Sequence, residues 1–323
     1  MGRKSILPIF YAILSPLENY PSKYFHFFLA DKNYDCIFVV YYHINTLKQY
    51  AMLTIKSLSY YYKPNKNILW NINTTLKPGN IYGLLGLNGE GKTTLLKLIV
   101  GMLLPKDGSI EFNGLRSSER IAAYLNEVYF LPDHSKLPDL RIEQFGKLYG
   151  AFYSKYDHQQ YLDCIKEFNI PISNRLRALS LGQHRKVHLS FALACNSSVL
   201  LMDEPTNGLD IPSKAVFRKL LTKFINDERI FLIATHQIRD VDTLFDHLMI
   251  MKGGSLVLDE NIYHLSRKFK ISKSTTDAEQ ALFTQEELSG PYYLVKNHSE
   301  NESKLDIEFL FNAFTNTPKP IEL

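Results

Sequence analysis

Residues 86–94 read Gly-Leu-Asn-Gly-Glu-Gly-Lys-Thr-Thr and place Gly86, Gly91, Lys92 and Thr93 at the fixed positions of the pattern G-x-x-x-x-G-K-[ST]. Glycines in such a loop let backbone N–H groups turn inward and close on an anion. A helix opening near Lys92 aims its positive end at the same charge. The whole stretch, Gly86, Leu87, Asn88, Gly89, Glu90, Gly91, Lys92, Thr93 and Thr94, therefore reads as a cradle for the phosphates of a nucleotide. Lys92 is expected to reach the β- and γ-phosphates, and Thr93 to offer its hydroxyl to Mg²⁺.

A second chemical feature lies downstream. The apolar run Val199–Met202 ends in Asp203 and Glu204. Asp203 is placed to hold Mg²⁺, directly or through water. Glu204, one residue on, can accept the proton of a water in line with the γ-phosphate. An apolar strand ending in two acids is common by itself; behind a phosphate cradle it becomes specific. Between the two features stands Leu179-Ser180-Leu181-Gly182-Gln183. Ser180 and the N–H of Gly182 open a helix running through Val187, Phe191 and Ala194, whose N-terminus offers another anion site. Read alone, Ser180 serves equally as an ordinary N-cap.

These residues need a frame, and the chain supplies one. Residues 80–85 read as a short buried strand and 92–101 as a helix with an apolar face, the strand–loop–helix setting the cradle requires. Val199–Met202 and Ile230–Ala234 are short apolar runs that suit parallel strands buried on both faces. Leu53–Ser59 and Ser109–Asn113 read as strands, 139–168 and 180–195 as helices, and Leu248–Met251 with Leu256–Leu258 as a hairpin about Gly253-Gly254. Alternating strands and helices predict an α/β sheet with nucleotide at the C-terminal ends of the strands.

Composition narrows the rest. The 323 residues are 45% hydrophobic and 22% charged, which is globular. A formal charge of +4 is too small to imply nucleic acid. No stretch approaches the ~18 apolar residues of a membrane helix, so a membrane role would come through a partner. Cys36, Cys164 and Cys195 form no C-x-x-C, which favours a reducing compartment over a disulfide scaffold or zinc site. Residues 1–51 are aromatic-rich, broken by Pro8, Pro16 and Pro21, and lack clean periodicity. Synthesis is expected to begin at Met52, with residues 1–51 upstream sequence; the alternative is a docking arm. After about residue 268 the chain turns polar, and a small C-terminal appendix is expected, with Ile307, Leu310, Phe311 and Phe314 on one helical face. That face reads as a helix packed on the main domain, or more sharply as a regulatory or dimerising element.

The serine-led segment resembles the LSGGQ signature of ATP-binding-cassette (ABC) proteins, with Leu181 in place of the first glycine. The resemblance covers roughly residues 52–265. Pro205-Thr206-Asn207-Gly208-Leu209-Asp210 looks like the family's D-loop, and His236 stands where the family keeps its switch histidine, a γ-phosphate contact. Tyr62, with Tyr61 second, precedes Asn67-Ile68-Leu69 as the family's adenine-stacking aromatic does. The resemblance implies a P-loop NTPase fold of ABC type: a mostly parallel core sheet flanked by helices, an antiparallel β subdomain, and a helical signature subdomain at about 134–177. It implies a nucleotide-binding domain over 52–267, with ATP and Mg²⁺ as ligands. Ser180, Leu181, Gly182 and Gln183 would complete the nucleotide pocket of a partner cassette. One departure stands out: Leu131-Pro132-Asp133 occupies the place where the family commonly carries glutamine. Asp133 can still ligate Mg²⁺, but it adds a negative charge and loses an amide donor, so slower hydrolysis or altered coupling is expected.

Leu148-Tyr149-Gly150 through Phe152-Tyr153, together with the appendix, looks most like bacterial ABC-2-type exporter ATPases. That resemblance implies a homodimer or heterodimer of cassettes, peripheral on the inner face of the cell membrane through a separately encoded permease, with no nucleic-acid partner. Two other uses are open to such a cassette. One is a soluble machine, as in translation or DNA repair, although the gap between cradle and signature shows no sustained heptads. The other is a regulatory cassette that binds ATP with little turnover.

Overall fold

Apolar patterning divides the strands into two kinds, and the fold follows that division. In chain order the elements are β1 (Leu53–Lys63), β2 (Lys66–Leu76), β3 (Asn80–Leu85), α1 (Lys92–Ile99), β4 (Asp107–Phe112), β5 (Leu115–Arg116), α2 (Ala122–Glu127), β6 (Val128–Leu131), α3 (Ile142–Gly150), α4 (His158–Glu167) and α5 (Leu181–Ala194). There follow β7 (Val199–Asp203), α6 (Ile211–Phe224), β8 (Ile230–Thr235), β9 (His247–Lys252), β10 (Ser255–Asn261), α7 (Ile262–Lys268), β11 (Phe269–Ser272), β12 (Phe283–Glu287), β13 (Gly290–Lys296) and α8 (Ile307–Asn316). The computed structural model describes residues 51–317 and 321, apart from 65, 135, 289 and 300. The expectation of a start at Met52 concerns a segment that lies, but for Ala51, outside the described residues.

Strands β3, β6, β7, β8 and β9 carry continuous apolar runs and form a six-stranded sheet in the order β10-β9-β3-β8-β7-β6. All pairs are parallel except the β9–β10 hairpin. Successive side chains of a strand point to opposite faces, so each face needs its own cover. Leu200 and Met202 of β7 enter one core with α5 and the helical subdomain. Val199 and Leu201 enter the other, with α1 and the antiparallel sheet. Burial on both faces is why these strands do not alternate.

The second sheet, β2-β1-β4-β5, is antiparallel. In β2 the run Ile72 to Leu76 alternates buried and exposed, as a sheet with one wet face must. Helices α3 and α4 form the expected helical subdomain, around an aromatic cluster in which Phe191 of α5 meets Phe145, Tyr153, Tyr156 and Tyr161. The expected helix over 92–101 stops two residues earlier, at Ile99.

Beyond α7 the chain forms a small antiparallel sheet, β11-β13-β12, and α8. Phe309, Leu310 and Phe314 of α8 join the same core as Leu248 and Ile250 of β9. The expected helix is thus present and packed on the main domain.

Candidate functional site

Parallel register gathers the chemistry at one end of the sheet. Leu85 lies beside Thr235, Asp203 beside Ala234, and Leu131 beside Met202. The loops leaving β3, β7, β8 and β6 therefore start side by side, at the carboxyl edge where such sheets bind ligands. Gly86–Gly91, Asp203–Glu204, Thr235–His236 and Asp133 are brought to that edge from four separate strands.

The cradle has the geometry its glycines imply. Gly91 caps α1 with φ 98°, in the left-handed region that favours glycine, and no side chain caps the helix there. A Cβ at Gly91 would also lie 2.7 Å from Leu69 Cδ2 and 2.9 Å from the Ile68 carbonyl. The first N–H groups of α1 are thus left for an anion. Lys92 is buried, and its Nζ donates to the carbonyls of Gly86 (2.7 Å) and Leu87 (3.1 Å). Burial lowers its pKa, while Glu204, Asp203 and Glu90 act in the opposite sense. A cleft of about 210 Å³ opens beside the loop, between Gly86–Asn88, Thr235–His236 and Phe311 of α8.

Thr93 Oγ1 donates to Asp203 Oδ2 at 2.7 Å, so the expected metal pair is in direct contact. A hydroxyl and a carboxylate side by side are hard oxygen donors, a set that suits Mg²⁺. Burial raises the pKa of Asp203; the Thr93 hydrogen bond opposes this, Glu204 and Asp133 reinforce it, and Lys92 lowers it.

Glu204 sits at φ 45°, left-handed and rare for a residue with a side chain, at a cost of order ~1 kcal/mol. The surroundings hold it there. Its N–H donates to the Ala234 carbonyl at 2.8 Å. Its Oε2 accepts from Thr235 Oγ1 at 2.8 Å, and its Oε1 accepts from the His236 N–H at 3.0 Å and lies 2.6 Å from His236 Nδ1. The predicted base and the predicted switch histidine are therefore one hydrogen-bonded unit.

Ser180 caps α5, and it does so reciprocally: its Oγ accepts from the Gln183 N–H (3.2 Å), and its N–H donates to Gln183 Oε1 (3.0 Å). Leu181 is 88% exposed beside it. A Cβ on Gly182 would lie 2.7 Å from the Gly208 carbonyl, so the signature and the D-loop touch backbone to backbone within one chain. Asp210 caps α6 through the Ser213 N–H at 3.0 Å, and hydrogen bonds from the Ser213 side chain first and its N–H second hold its carboxyl below the usual range.

Tyr62 is 56% exposed, packs edge-on against Tyr60 with centroids 5.0 Å apart, and its hydroxyl is 3.3 Å from Thr94 Oγ1. An available ring is thereby tied to the cradle helix. Tyr61 instead lies under Lys106. Asp133, expected near the metal, has its Oδ1 accepting from Asn207 Nδ2 at 2.9 Å.

One residue escaped the sequence reading. Arg185 of α5 is buried and donates to the carbonyls of Pro132, Asp133 (3.0 Å), Asp203 (2.6 Å), Glu204 (2.6 Å) and Pro205 (3.2 Å). Burial pulls its pKa down to about 10, which leaves it charged at neutral pH. It pins the Asp133 loop and the Asp203–Glu204 corner to the signature helix. The signal in the sequence was a cation three and four residues before His188 and Leu189, on a buried face of that helix.

A phosphate cradle, an acidic pair and a histidine-held glutamate at the carboxyl edge of a parallel sheet define a P-loop nucleotide hydrolase. Residues 69–207 match the ABC transporter family. The ABC transporter ATP-binding protein YtrB of Bacillus subtilis is 25% identical over 260 residues, covering 78% of this chain and 89% of that protein. The ABC transporter ATP-binding protein NatA of the same organism is 27% identical over 232 residues, covering 67% and 93%. The solved structure of cbiO1 from Clostridium perfringens, part of the ABC transporter complex cbiONQ, is 27% identical with a TM-score of 0.57, covering 67% of this chain and 91% of that one. Residues 69–207 carry an ABC transporter ATP-binding domain, and the chain is similar in sequence to ATP-binding-cassette ATPases.

Proposed function

We propose that this cassette hydrolyses ATP as the engine of an exporter, closing on a second cassette and driving a separate membrane permease. The observation that carries the reading is the convergence of Lys92, Thr93, Asp203, Glu204 and His236 on one sheet edge. ATP would lie with its phosphates over α1 and its base against Tyr62. Thr93 and Asp203 would hold Mg²⁺, which when bound neutralises charge on the phosphate oxygens. Glu204 takes a proton from water as the water oxygen bonds to the γ-phosphorus and the bond to the ADP oxygen breaks. His236, fixed through Nδ1, keeps Nε2 for the γ-phosphate.

Closure on a second cassette is supported by the outer face of the signature. Leu181 and Ile211 are 88% and 83% exposed at the starts of α5 and α6. Two apolar side chains left in water beside Ser180 suit a face that another molecule covers. γ-Phosphate contacts made only in the closed pair would make ATP the glue and hydrolysis the release.

Docking to a permease is supported by the helical subdomain, where Leu148 (57%) and Phe152 (72%) are exposed on and just after α3. Among the described residues no helix is long and apolar enough to cross a membrane, so transport would need such a partner at the cytoplasmic face. Export as the direction rests on the resemblance of residues 148–153 and the appendix to ABC-2-type cassettes.

The test is Glu204→Gln. ATP binding should persist, turnover should fall roughly 10²–10⁴-fold, and ATP should double the mass seen in analytical ultracentrifugation. A chain that stays monomeric with ATP would remove the paired mechanism, and unchanged turnover would remove Glu204 as base.

A further inference from the structure

A line of side-chain hydrogen bonds runs from the start of the helical subdomain to the hydrolytic corner, and no motif accounts for it. Gln237 Nε2 donates to Asn207 Oδ1 (2.7 Å), and Asn207 Nδ2 donates to Asp133 Oδ1 (2.9 Å). On the other side, the Gln237 N–H donates to Thr235 Oγ1 (2.9 Å), and Thr235 Oγ1 donates to Glu204 Oε2 (2.8 Å). The ends of three strands, β6, β7 and β8, are thus linked in one series.

A carboxylate at each end, Asp133 and Glu204, sets the direction of the bonds beside it. An ionised carboxylate only accepts. Asp133 therefore makes Asn207 present its NH₂, which turns the Asn207 oxygen toward Gln237 and draws the Gln237 NH₂ to it. The Gln237 backbone N–H, a donor whichever way its side chain turns, reaches Thr235 Oγ1. A threonine hydroxyl has one proton, and with the oxygen already accepting, that proton goes to Glu204. An amide at position 133 would keep the bond to Asn207 by turning its oxygen to it, whereas alanine would lose it.

We propose that Asp133 is a positioning residue: through Asn207, Gln237 and Thr235 it fixes the orientation of the Glu204 carboxylate. This rests on Glu204 being the base, as proposed above. It assigns Asp133 a role in place of metal ligation. The carbonyl of Asp133 is held by Arg185, which also holds the Asp203 and Glu204 carbonyls. A shift of the loop before α3 would therefore reach the base by side chain and by main chain together.

The test uses the full chain, with steady-state ATPase at varied ATP and Mg²⁺ and amide hydrogen exchange on the same proteins. Asp133→Ala and Asn207→Ala should each lower kcat about tenfold, the loss of one charge-assisted hydrogen bond's alignment. KM for ATP and half-saturating Mg²⁺ should stay within about twofold. The double variant should be no worse than either single by more than about twofold, because both break one series. Asp133→Asn keeps an acceptor oxygen and should stay within about threefold of the parent. The amides of His236 and Gln237 should exchange at least about tenfold faster in Asp133→Ala. A tenfold rise in half-saturating Mg²⁺ for Asp133→Asn, multiplied losses in the double variant, or unchanged exchange at 236–237 would each overturn the proposal. Should Asp133→Ala fail to fold, Asn207→Ala and Asp133→Asn carry the same comparisons. Should the parent show no turnover, the ATPase reading fails by itself and the exchange measurement still decides the positioning.

Discussion

Replacing Arg185 by methionine removes five donated hydrogen bonds while keeping most of the side chain's volume. The five acceptors are main-chain carbonyls on either side of the catalytic corner, at Pro132, Asp133, Asp203, Glu204 and Pro205. Hydrogen bonds from a charged donor contribute ~1.5–3 kcal/mol each, and a buried carbonyl left alone costs ~1–3 kcal/mol. Against this stands the desolvation of the guanidinium, several kcal/mol and visible in its pKa of about 10. The balance is a loss of roughly 2–4 kcal/mol, in the upper range for a single substitution. For a folded unit of this size that lowers Tm by about 5–15 °C in a circular-dichroism melt. Turnover should fall by at least about tenfold as well, because the Arg185 bond to its carbonyl is one of those that keep Glu204 at φ 45°. Arg185→Lys keeps the charge without the fork and should recover less than half of the stability. A methionine variant melting within about 1 °C of the parent and turning over within about twofold would refute the view of Arg185 as the clamp of this corner.

Lys92→Ala should weaken nucleotide binding by at least about tenfold in a direct titration, since a buried cation leaves the phosphate site; full affinity would contradict the cradle. His188, buried and 2.9 Å from the Tyr129 hydroxyl, has its pKa pulled from 6.5 down to about 3 by burial, with Arg185 adding to the effect. Its stabilising contribution is complete above pH 6.5 and declines as pH falls toward about 3, by up to ~1.4 kcal/mol per pH unit. His188→Gln should flatten that slope in urea melts, and an unchanged acid limb would count against it. Gly182→Ala places a methyl 2.7 Å from the Gly208 carbonyl. It should cost ~1–3 kcal/mol and separate the signature from the D-loop, seen as a lower Tm and weaker ATP-dependent pairing.

Residues 86–94 point to a phosphate cradle before any fold is known, because local geometry constrains them: a left-handed turn at Gly91, a helix start at Lys92, and N–H groups left without a side-chain cap. The buried parallel strands were equally legible, since β7 and β8 must be apolar on both faces and contain nothing else. The pairing of Glu204 with His236 was foreshadowed only as two separate roles; their contact depends on β7 and β8 lying side by side in register. Ser180 shows the ambiguity plainly: as an N-cap it needs only Gln183, three residues on, and as a partner's phosphate ligand it needs a surface that sequence alone does not describe.

Local chemistry was thus written in the order of residues, and it fixed the class of reaction. The tertiary fold alone decided how four loops distant in sequence share one corner. Arg185 reads as an ordinary basic residue until burial brings five carbonyls to it, and nothing in the order of residues sets Asn207 opposite Asp133. Short-range signals survive in sequence because the backbone enforces them over a turn or two. Contacts between loops of different strands leave no spacing rule behind, since their separation along the chain is set by whatever helices lie between.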